Sequence, residues 1–131
     1  MGQQQLLLII LGVIIVGIAI AVGITMFAAA SVQSNKDAIV NDLNNLAADA
    51  YQYKIRPTTM GGGGGNYGGY KVRTKLAAND NGSYTPTTAV AAGSQSFTLT
   101  GSSKPYAGST VSAVLDSTGK LTSFTYVGQF Q

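Results

Sequence analysis

The sequence predicts an α+β chain in which one long N-terminal helix packs on a small C-terminal antiparallel β-sheet. Three observations lead to this fold class. An unbroken apolar run spans residues 6–30, a stripe of apolar residues at helical spacing follows it, and alternating polar and apolar residues recur after residue 70.

The apolar run, LLLIILGVIIVGIAIAVGITMFAAA, has Thr25 as its one polar residue, and no charged side chain precedes Lys36. At a rise of about 1.5 Å per residue the run forms a helix of roughly 37 Å, which can cross a hydrocarbon core of ~30 Å. A cleaved secretory signal ending at Ala28–Ala30 is the alternative. The run is longer than the usual ~7–15 residues and follows no Lys or Arg, so we expect a transmembrane or filament-core helix over residues 1–30.

The helix is expected to continue with one apolar face. Apolar residues between Val32 and Tyr53 recur at a spacing near 3.5, and Asp, Asn and Lys fill the positions between them. Pro57 is the first proline and is expected to stop the helix. We therefore predict one helix from about Gln3 to about Lys54, with an amphipathic second half over residues 31–56.

A glycine-rich loop is expected over residues 57–69, because five consecutive glycines stand at Gly61–Gly65. Such a run marks a flexible or close-packed connector. A phosphate-binding loop would need a following Gly-Lys-Ser or Gly-Lys-Thr, and the sequence has neither. Nucleotide binding is therefore not expected here.

The remaining residues, 70–131, are expected to form an antiparallel β domain. Alternation is clearest between Tyr70 and Leu76, where Lys and Arg separate the apolar residues. Turns are expected at Asn79–Gly82 and Asp116–Gly119. Short connections favour a meander of sequential strands. The expected strands are Tyr70–Leu76, Ser83–Val90 with Pro86 at an edge or bulge, a strand around Phe97 and Leu99, Val111–Leu115 and Lys120–Val127.

The amphipathic helix half is the one available cover for the apolar face of this sheet. Its stripe and the aromatic and apolar residues of the strands are expected to pack together. The residues expected at this helix–sheet contact are Ile39, Leu43, Leu46, Phe97, Leu99, Phe124 and Tyr126.

This plan of a long helix, apolar and then amphipathic, before a small antiparallel sheet resembles type IV pilins and pseudopilins. The start, Gly2-Gln3-Gln4-Gln5 followed by leucines, is similar to the glycine and short polar segment of class III signal sequences. The chain departs from the usual bacterial pattern in two ways, because it has no Glu and because only Met1 precedes Gly2. Archaeal-type pilins with uninterrupted core helices resemble it too.

The resemblance implies a structural subunit that polymerises through its hydrophobic helix into an extracellular type IV pilus-like filament, or fimbrium, on the cell surface. It implies partners as well: identical subunits in a helical polymer, the membrane that holds the subunit before assembly, and a pilus-type assembly machinery. The alternatives are a single-span membrane-anchored extracytoplasmic binding domain and a pseudopilin of a secretion system.

Assembly through the helix singles out a set of core residues. Gly17 and Ala21 form one small-xxx-small pair and Ala19 and Gly23 another, and such pairs let helices approach closely. Ordinary use of Gly and Ala in membrane helices explains each pair equally well. The residues expected in the filament core are Leu6, Leu7, Ile10, Ile14, Gly17, Ala21, Ile24 and Phe27.

Composition argues against catalysis and against cofactors. The chain of 131 residues has no His, Cys or Trp, and five Asp residues are its only acids. General acid–base catalysis recruits His or paired carboxylates, and zinc sites need Cys or His. We therefore expect no catalytic residue, no cofactor-binding residue and no metal ligand.

Two surface features remain open. Lys71, Arg73 and Lys75 are most simply a solvated strand face, with binding to an anionic partner as the alternative. Eight basic residues and a net charge of +3 are too few for a nucleic-acid interface, so no nucleic acid is expected. Asn81-Gly82-Ser83 matches an acceptor sequence for N-glycosylation, which makes Asn81 a possible glycosylation site.

Overall fold

The computed structural model describes residues 2–86 and 88–131, and it has the expected α+β architecture. One long helix precedes a four-stranded antiparallel sheet, and two short 3-10 turns flank the sheet-forming part. The elements are helix α1 (Gly2–Ile55), a 3-10 turn (Thr58–Met60), strands β1 (Gly82–Thr85), β2 (Phe97–Ser103), β3 (Thr110–Leu115) and β4 (Leu121–Val127), and a 3-10 turn (Gly128–Phe130).

The chain divides into two compact units, and the division falls within α1, between Gln33 and Ser34. The described part of the first unit, Gly2–Gln33, is helix alone, and we call it the assembly helix. The second unit, Ser34–Gln131, contains the rest of α1 and the sheet, and we call it the folded domain. A hydrophobic core exists only in the second of these described units.

The prediction of a single helix ending before Pro57 is confirmed. Helix α1 ends at Ile55, and the 54 residues from Gly2 contain no proline that would interrupt the backbone hydrogen bonds. Within the folded domain the buried positions of α1 include Ile39, Leu43 and Leu46. Their spacing of four and three residues places them on one face, as the stripe predicts.

The glycine-rich loop caps the C-terminal end of α1. The last carbonyls of a helix have no partner within the helix. Here Gly63 N donates to Tyr53 O at 2.8 Å, Gly65 N donates to Lys54 O at 2.7 Å, and Gly64 N donates to Arg56 O at 3.0 Å. The loop is therefore the close-packed form of the two that the glycine run allows.

This cap requires glycine for steric reasons. A Cβ atom at Gly63 would lie 1.9 Å from the carbonyl oxygen of Asn66, and one at Gly62 would lie 2.2 Å from the carbonyl oxygen of Arg56. Both oxygens belong to the backbone, which cannot rotate away as a long side chain can. A run of glycines is thus what allows the chain to fold back over the helix end.

The sheet is a meander, as expected, with strand order β1-β2-β3-β4 and antiparallel pairing throughout. Alternate residues of the two central strands are buried. In the register of β2 and β3, Leu99 pairs with Ala113 and Gly101 pairs with Val111, and all four residues are buried. These residues form the apolar face that the helix covers.

The expected strand Tyr70–Leu76 is wrong. Its alternation of buried and exposed residues is present over the first half, where Tyr70 and Val72 are buried and Lys71 and Arg73 are exposed. The backbone, however, makes no ladder: Val72 N donates to Pro86 O, and Tyr70 N donates to Tyr67 O in a turn. The segment is an irregular loop, held to the domain by single backbone bonds such as Val90 N to Tyr70 O and by its buried side chains.

Two further strands differ in extent from the prediction. Among its described residues, the segment expected at Ser83–Val90 forms a strand only within Gly82–Thr85, and Pro86, which has no N–H to donate, follows its end. Position 87 of the expected strand lies outside the described residues. In β4, Ser123 has a φ of 54° and the register shifts opposite Ser112 and Val114. This bulge interrupts the alternation, and only half-buried or exposed residues remain in β4.

Candidate assembly helix and candidate binding cleft

The assembly helix presents apolar side chains on every side. All of the residues proposed from the sequence for the filament core lie in it, and all are exposed in the single chain. Leu6 is 60% exposed, Ile14 54% and Phe27 76%. Sixteen large apolar side chains between Leu6 and Phe27 are exposed in this way. An apolar surface of this extent needs a partner or a bilayer to leave water.

Most of these core residues form one seam along the helix. From residue 7 onward their spacing is 3, 4, 3, 4 and 3 residues, which is the a/d pattern of helices that pack side by side. The seam consists of Leu7, Ile10, Ile14, Gly17, Ala21 and Ile24. The prediction from the sequence rested on the apolar run and on the small-residue pairs, and this regular spacing was not part of it.

The glycines of the assembly helix have open surroundings. A Cβ atom added to Gly12, Gly17 or Gly23 would meet nothing within 4 Å in the single chain. Glycine inside a helix is about 1 kcal/mol less favourable than alanine. Packing inside the chain therefore gives no reason for these three glycines.

The apolar window of α1 meets the length and composition criteria for a membrane span, and none of it is buried within the chain. No other helix in residues 2–86 and 88–131 meets them. Thr25, the polar residue of the run, donates its hydroxyl hydrogen to Val22 O at 2.8 Å, so its polar group has a partner within the helix. This bond removes much of the cost of placing Thr25 in an apolar surrounding.

The residues expected at the helix–sheet contact occupy different environments. Ile39, Leu43, Leu46 and Leu99 are at most 3% exposed. Phe97 is half-buried, and its ring centroid lies 5.1 Å from that of Tyr67 and 5.5 Å from that of Tyr70.

The two aromatic residues of β4 lie further from the core. Phe124 is 37% exposed, and it lines a surface groove with Ala47 and Ala48 of α1. Tyr126 is half-buried beneath the ammonium of Lys36, which lies 3.9 Å from the ring centroid. Lys36 Nζ also donates to Phe130 O at 3.1 Å.

Asp42 of α1 fastens the loop before β1 to the helix. Its Oδ2 accepts hydrogen bonds from Asn79 Nδ2 at 2.8 Å, from Asn81 Nδ2 at 3.2 Å and from the hydroxyl of Tyr84. Burial raises the pKa of the Asp42 carboxyl, but these three hydrogen bonds outweigh it, and the pKa lies below its ordinary value. Burial and the Asp42 carboxylate together raise the pKa of Tyr84.

This arrangement bears on Asn81, the possible glycosylation site. Its side-chain nitrogen, the atom that a glycan would occupy, donates to Asp42, and its carbonyl accepts a hydrogen bond from Asn35 at 3.2 Å. Asn35 also accepts a hydrogen bond from Ser103 Oγ at 2.7 Å. In the folded domain the Asn81 amide thus serves a structural role, and glycosylation of Asn81 stays a prediction.

A cleft of about 330 Å³ lies in the folded domain, between the end of α1 and the loop that follows the glycine cap. It is lined by the cationic side chains of Arg56, Lys71 and Arg73 and by Tyr53 and Tyr70, whose ring centroids are 5.6 Å apart. Sequence reasoning found Lys71 and Arg73 but grouped them with Lys75, which does not line this cleft. Nothing in the sequence pattern pointed to Arg56 as their neighbour.

Asp49 is the single carboxylate in this cleft. Its Oδ1 pairs with Arg73 Nη2, and its Oδ2 accepts a hydrogen bond from the Tyr70 hydroxyl at 3.1 Å. Burial and the neighbouring Asp49 charge raise the pKa of Tyr70, so the phenol is neutral near pH 7. Both carboxylate oxygens of Asp49 thus have a partner, Arg73 for one and Tyr70 for the other.

Comparisons with protein-family models, with curated proteins and with solved structures find no match for this chain. Within residues 2–86 and 88–131, no group of three or more His, Cys, Asp or Glu residues is placed to hold a metal ion. The fold is compatible with that of pilins, with a long apolar N-terminal helix and a small antiparallel sheet. The candidate functional features are thus the assembly helix and the cleft.

Proposed function

We propose that this chain is a structural subunit that polymerises through its assembly helix into an extracellular, type IV pilus-like filament on the cell surface. The observation that supports it is the continuous apolar surface of the assembly helix, in which sixteen large side chains are exposed. Before assembly, this helix is inserted in the bilayer. In the filament, the helices of other subunits replace the lipid.

The magnitude of the hydrophobic contribution is large enough to drive assembly. Burying one large apolar side chain contributes about 1.5–3 kcal/mol, so sixteen such side chains contribute a few tens of kcal/mol per subunit before the entropy of association is subtracted. A subunit taken from the bilayer gains less, because lipid already covers these side chains. Close packing between helices then decides whether the polymer forms.

The seam and the glycines support a helix partner over lipid alone. Side chains at a/d spacing interlock with those of a neighbouring helix, and Gly17 and Ala21 in the seam permit a close approach. The open surroundings of Gly17 in the single chain agree with this role, because a Cβ there is excluded by nothing within the chain. A single-span anchor surrounded by lipid gains nothing from these glycines.

The first experiment looks for the polymer itself. Surface material sheared from cells that make this chain is examined by negative-stain microscopy, and the fibres are identified by mass spectrometry. We expect fibres composed mainly of this chain. Recovery of the chain only from the membrane fraction would instead favour the single-span anchored domain, and fibres present only when the chain is overproduced would favour the pseudopilin.

Variants of the assembly helix separate polymerisation from membrane insertion. Gly17→Leu keeps the helix apolar but fills the seam, so we expect the membrane pool to remain and the fibres to disappear. Val16→Leu is the matched control, since it enlarges a neighbouring position outside the seam, and its fibres should persist. Ile14→Arg should also abolish the fibres, because a charge in a dry helix bundle has no partner. Normal fibres from Gly17→Leu and Ile14→Arg would refute assembly through this helix.

A further inference from the structure

The cleft at the end of α1 holds positive charge that the folded domain does not use. Two of its three cationic side chains, Arg56 and Lys71, have no hydrogen-bond or ion-pair partner within residues 2–86 and 88–131. Two lysines of the domain, by contrast, have backbone partners. Lys36 Nζ donates to Phe130 O, and Lys54 Nζ donates to Ser117 O.

The third cation, Arg73, fixes the geometry of the cleft. It pairs with Asp49 through Nη2, while Asp49 also binds the hydroxyl of Tyr70. The pair balances its own charge, so Arg56 and Lys71 leave an uncompensated positive charge in the lining of the cleft. An Arg and a Lys that line one cleft are suited to an anionic oxygen group, which the planar guanidinium binds through two parallel hydrogen bonds.

Two tyrosines contribute to the lining of the cleft. Tyr53 and Tyr70 lie with their rings tilted by 57°, and Tyr53 is held in place because its hydroxyl donates to Gly68 O at 2.9 Å. Gly69 also lines the cleft with a φ of 84°, and a Cβ there would lie 2.9 Å from the Tyr53 hydroxyl. Ring edges and phenol oxygens together provide a surface that accepts a compact group with both C–H and hydroxyl groups.

Size selects among anionic ligands. A volume of about 330 Å³ is at the small end of ligand sites. It accommodates one or two ring-sized units and does not form a track. A nucleic acid would need a longer basic surface, since strong binding uses about 6–10 phosphate contacts. A sugar ring that carries a carboxylate matches the cationic side chains, the tyrosine rings and the volume of the cleft together.

We propose that this cleft binds a carboxylate-bearing sugar unit of an acidic glycan, with Arg56 and Lys71 holding the carboxylate and Tyr53 contacting the ring. The site lies wholly within the folded domain, so it does not depend on whether the chain polymerises. The detergent-solubilised full chain should therefore bind such a sugar as a monomer.

Isothermal titration of the full chain in detergent micelles tests the proposal with a trisaccharide of galacturonic acid. The neutral galactose trisaccharide should bind at least about tenfold more weakly, because the charge-assisted bonds are lost. Raising the salt concentration should weaken the binding of the acidic trisaccharide only, since the cationic side chains are exposed and their charges are screened. Equal binding of both trisaccharides, or no binding of either, would overturn the proposal.

Charge-matched variants locate the site. Arg56→Gln with Lys71→Gln should weaken binding of the acidic trisaccharide by at least about tenfold. Lys104→Gln with Lys120→Gln removes the same charge from exposed residues outside the cleft and should change binding by no more than about twofold. All four side chains are exposed, so we expect unchanged melting temperatures. An equal loss in both double variants would show general attraction to a basic protein and would refute the site.

Two further probes distinguish the ligand chemistry. Inorganic phosphate should bind more weakly than the acidic trisaccharide, because it lacks the sugar ring that would contact the tyrosines. A ten-nucleotide single-stranded DNA should not compete with it at equal concentration. Tighter binding of phosphate, or displacement of the sugar by the DNA, would overturn the assignment to an acidic glycan.

Discussion

The contact between α1 and the sheet can be tested at Gly101, a position of β2 that faces Ile39 of α1. A Cβ atom at this position of β2 would lie 2.6 Å from Ile39 Cγ2 and 3.0 Å from Tyr84 Cε1. Ordinary contacts between carbon atoms are about 3.5–4.0 Å, so Gly101→Ala forces the helix side chain or the strand to move by about 1 Å. Overpacking of this kind costs about 1–3 kcal/mol in unfolding free energy.

The same contact predicts how a second substitution will act. Ile39 is fully buried, so Ile39→Ala should cost about 2–5 kcal/mol by leaving a cavity. It also removes Cγ2, the atom that an alanine at position 101 would strike. In the Ile39→Ala background, Gly101→Ala should therefore cost clearly less, because only the contact with the Tyr84 ring remains. The coupling between the two substitutions should be about 1–3 kcal/mol, which is within the range of residues in direct contact.

Guanidinium unfolding of the full chain in detergent, followed by tyrosine circular dichroism, measures all four corners of this cycle. All seven tyrosines lie in the folded domain and the chain has no tryptophan, so the signal reports that domain alone. Gly12→Ala with Ile39→Ala is the control pair, since Gly12 lies in the assembly helix and outside the folded domain, and its effects should add. Additive effects of Gly101→Ala and Ile39→Ala would refute the helix–sheet contact.

Two other predictions concern the glycine cap and Asp42. Gly63→Ala should cost about 1–3 kcal/mol in thermal or chemical unfolding because its Cβ meets a backbone oxygen, whereas Gly61→Asn, at an open position with positive φ, should cost clearly less; equal costs would contradict the steric account of the cap. The lowered pKa of Asp42 means that the folded chain binds fewer protons than the unfolded chain in acid, so its contribution to stability is present above about pH 4 and is lost as the pH falls through the folded-state pKa. The melting temperature of Asp42→Asn should therefore fall less than that of the wild type between pH 7 and pH 3. Equal falls would show that protonation of Asp42 is not coupled to folding.

The long helix and the meander were accessible from the sequence because their signals are local and repetitive. An apolar run followed by a stripe with a spacing near 3.5 predicts one helix, and Pro57 sets its end. The hairpins of β2, β3 and β4 follow from short alternating segments separated by turn residues. In these segments propensity, pattern and tertiary packing all agree.

The prediction of a strand failed where the backbone hydrogen bonds do not follow the side-chain pattern. Residues from Tyr70 to Arg73 alternate between core and solvent as a strand does, yet the N–H of Val72 bonds to Pro86 O in a loop. The alternation predicted correctly which side chains are buried, but it predicted wrongly that the segment pairs with a strand. The cleft was hidden for a different reason, because Arg56 and Lys71 are brought together by the glycine cap, whose fold depends on amides donating to helix carbonyls.

The order of the strands has a consequence for how quickly the domain folds. Each hairpin of the meander joins neighbours along the chain, whereas the contacts that hold α1 to the sheet span large separations, 68 residues for Asn35 and Ser103 and 94 residues for Lys36 and Phe130. Closing long loops costs entropy before any contact compensates for it, so we expect the hairpins to form first and helix docking to follow. Substitutions in the turns should then change mainly the folding rate, and substitutions at the helix contacts mainly the unfolding rate.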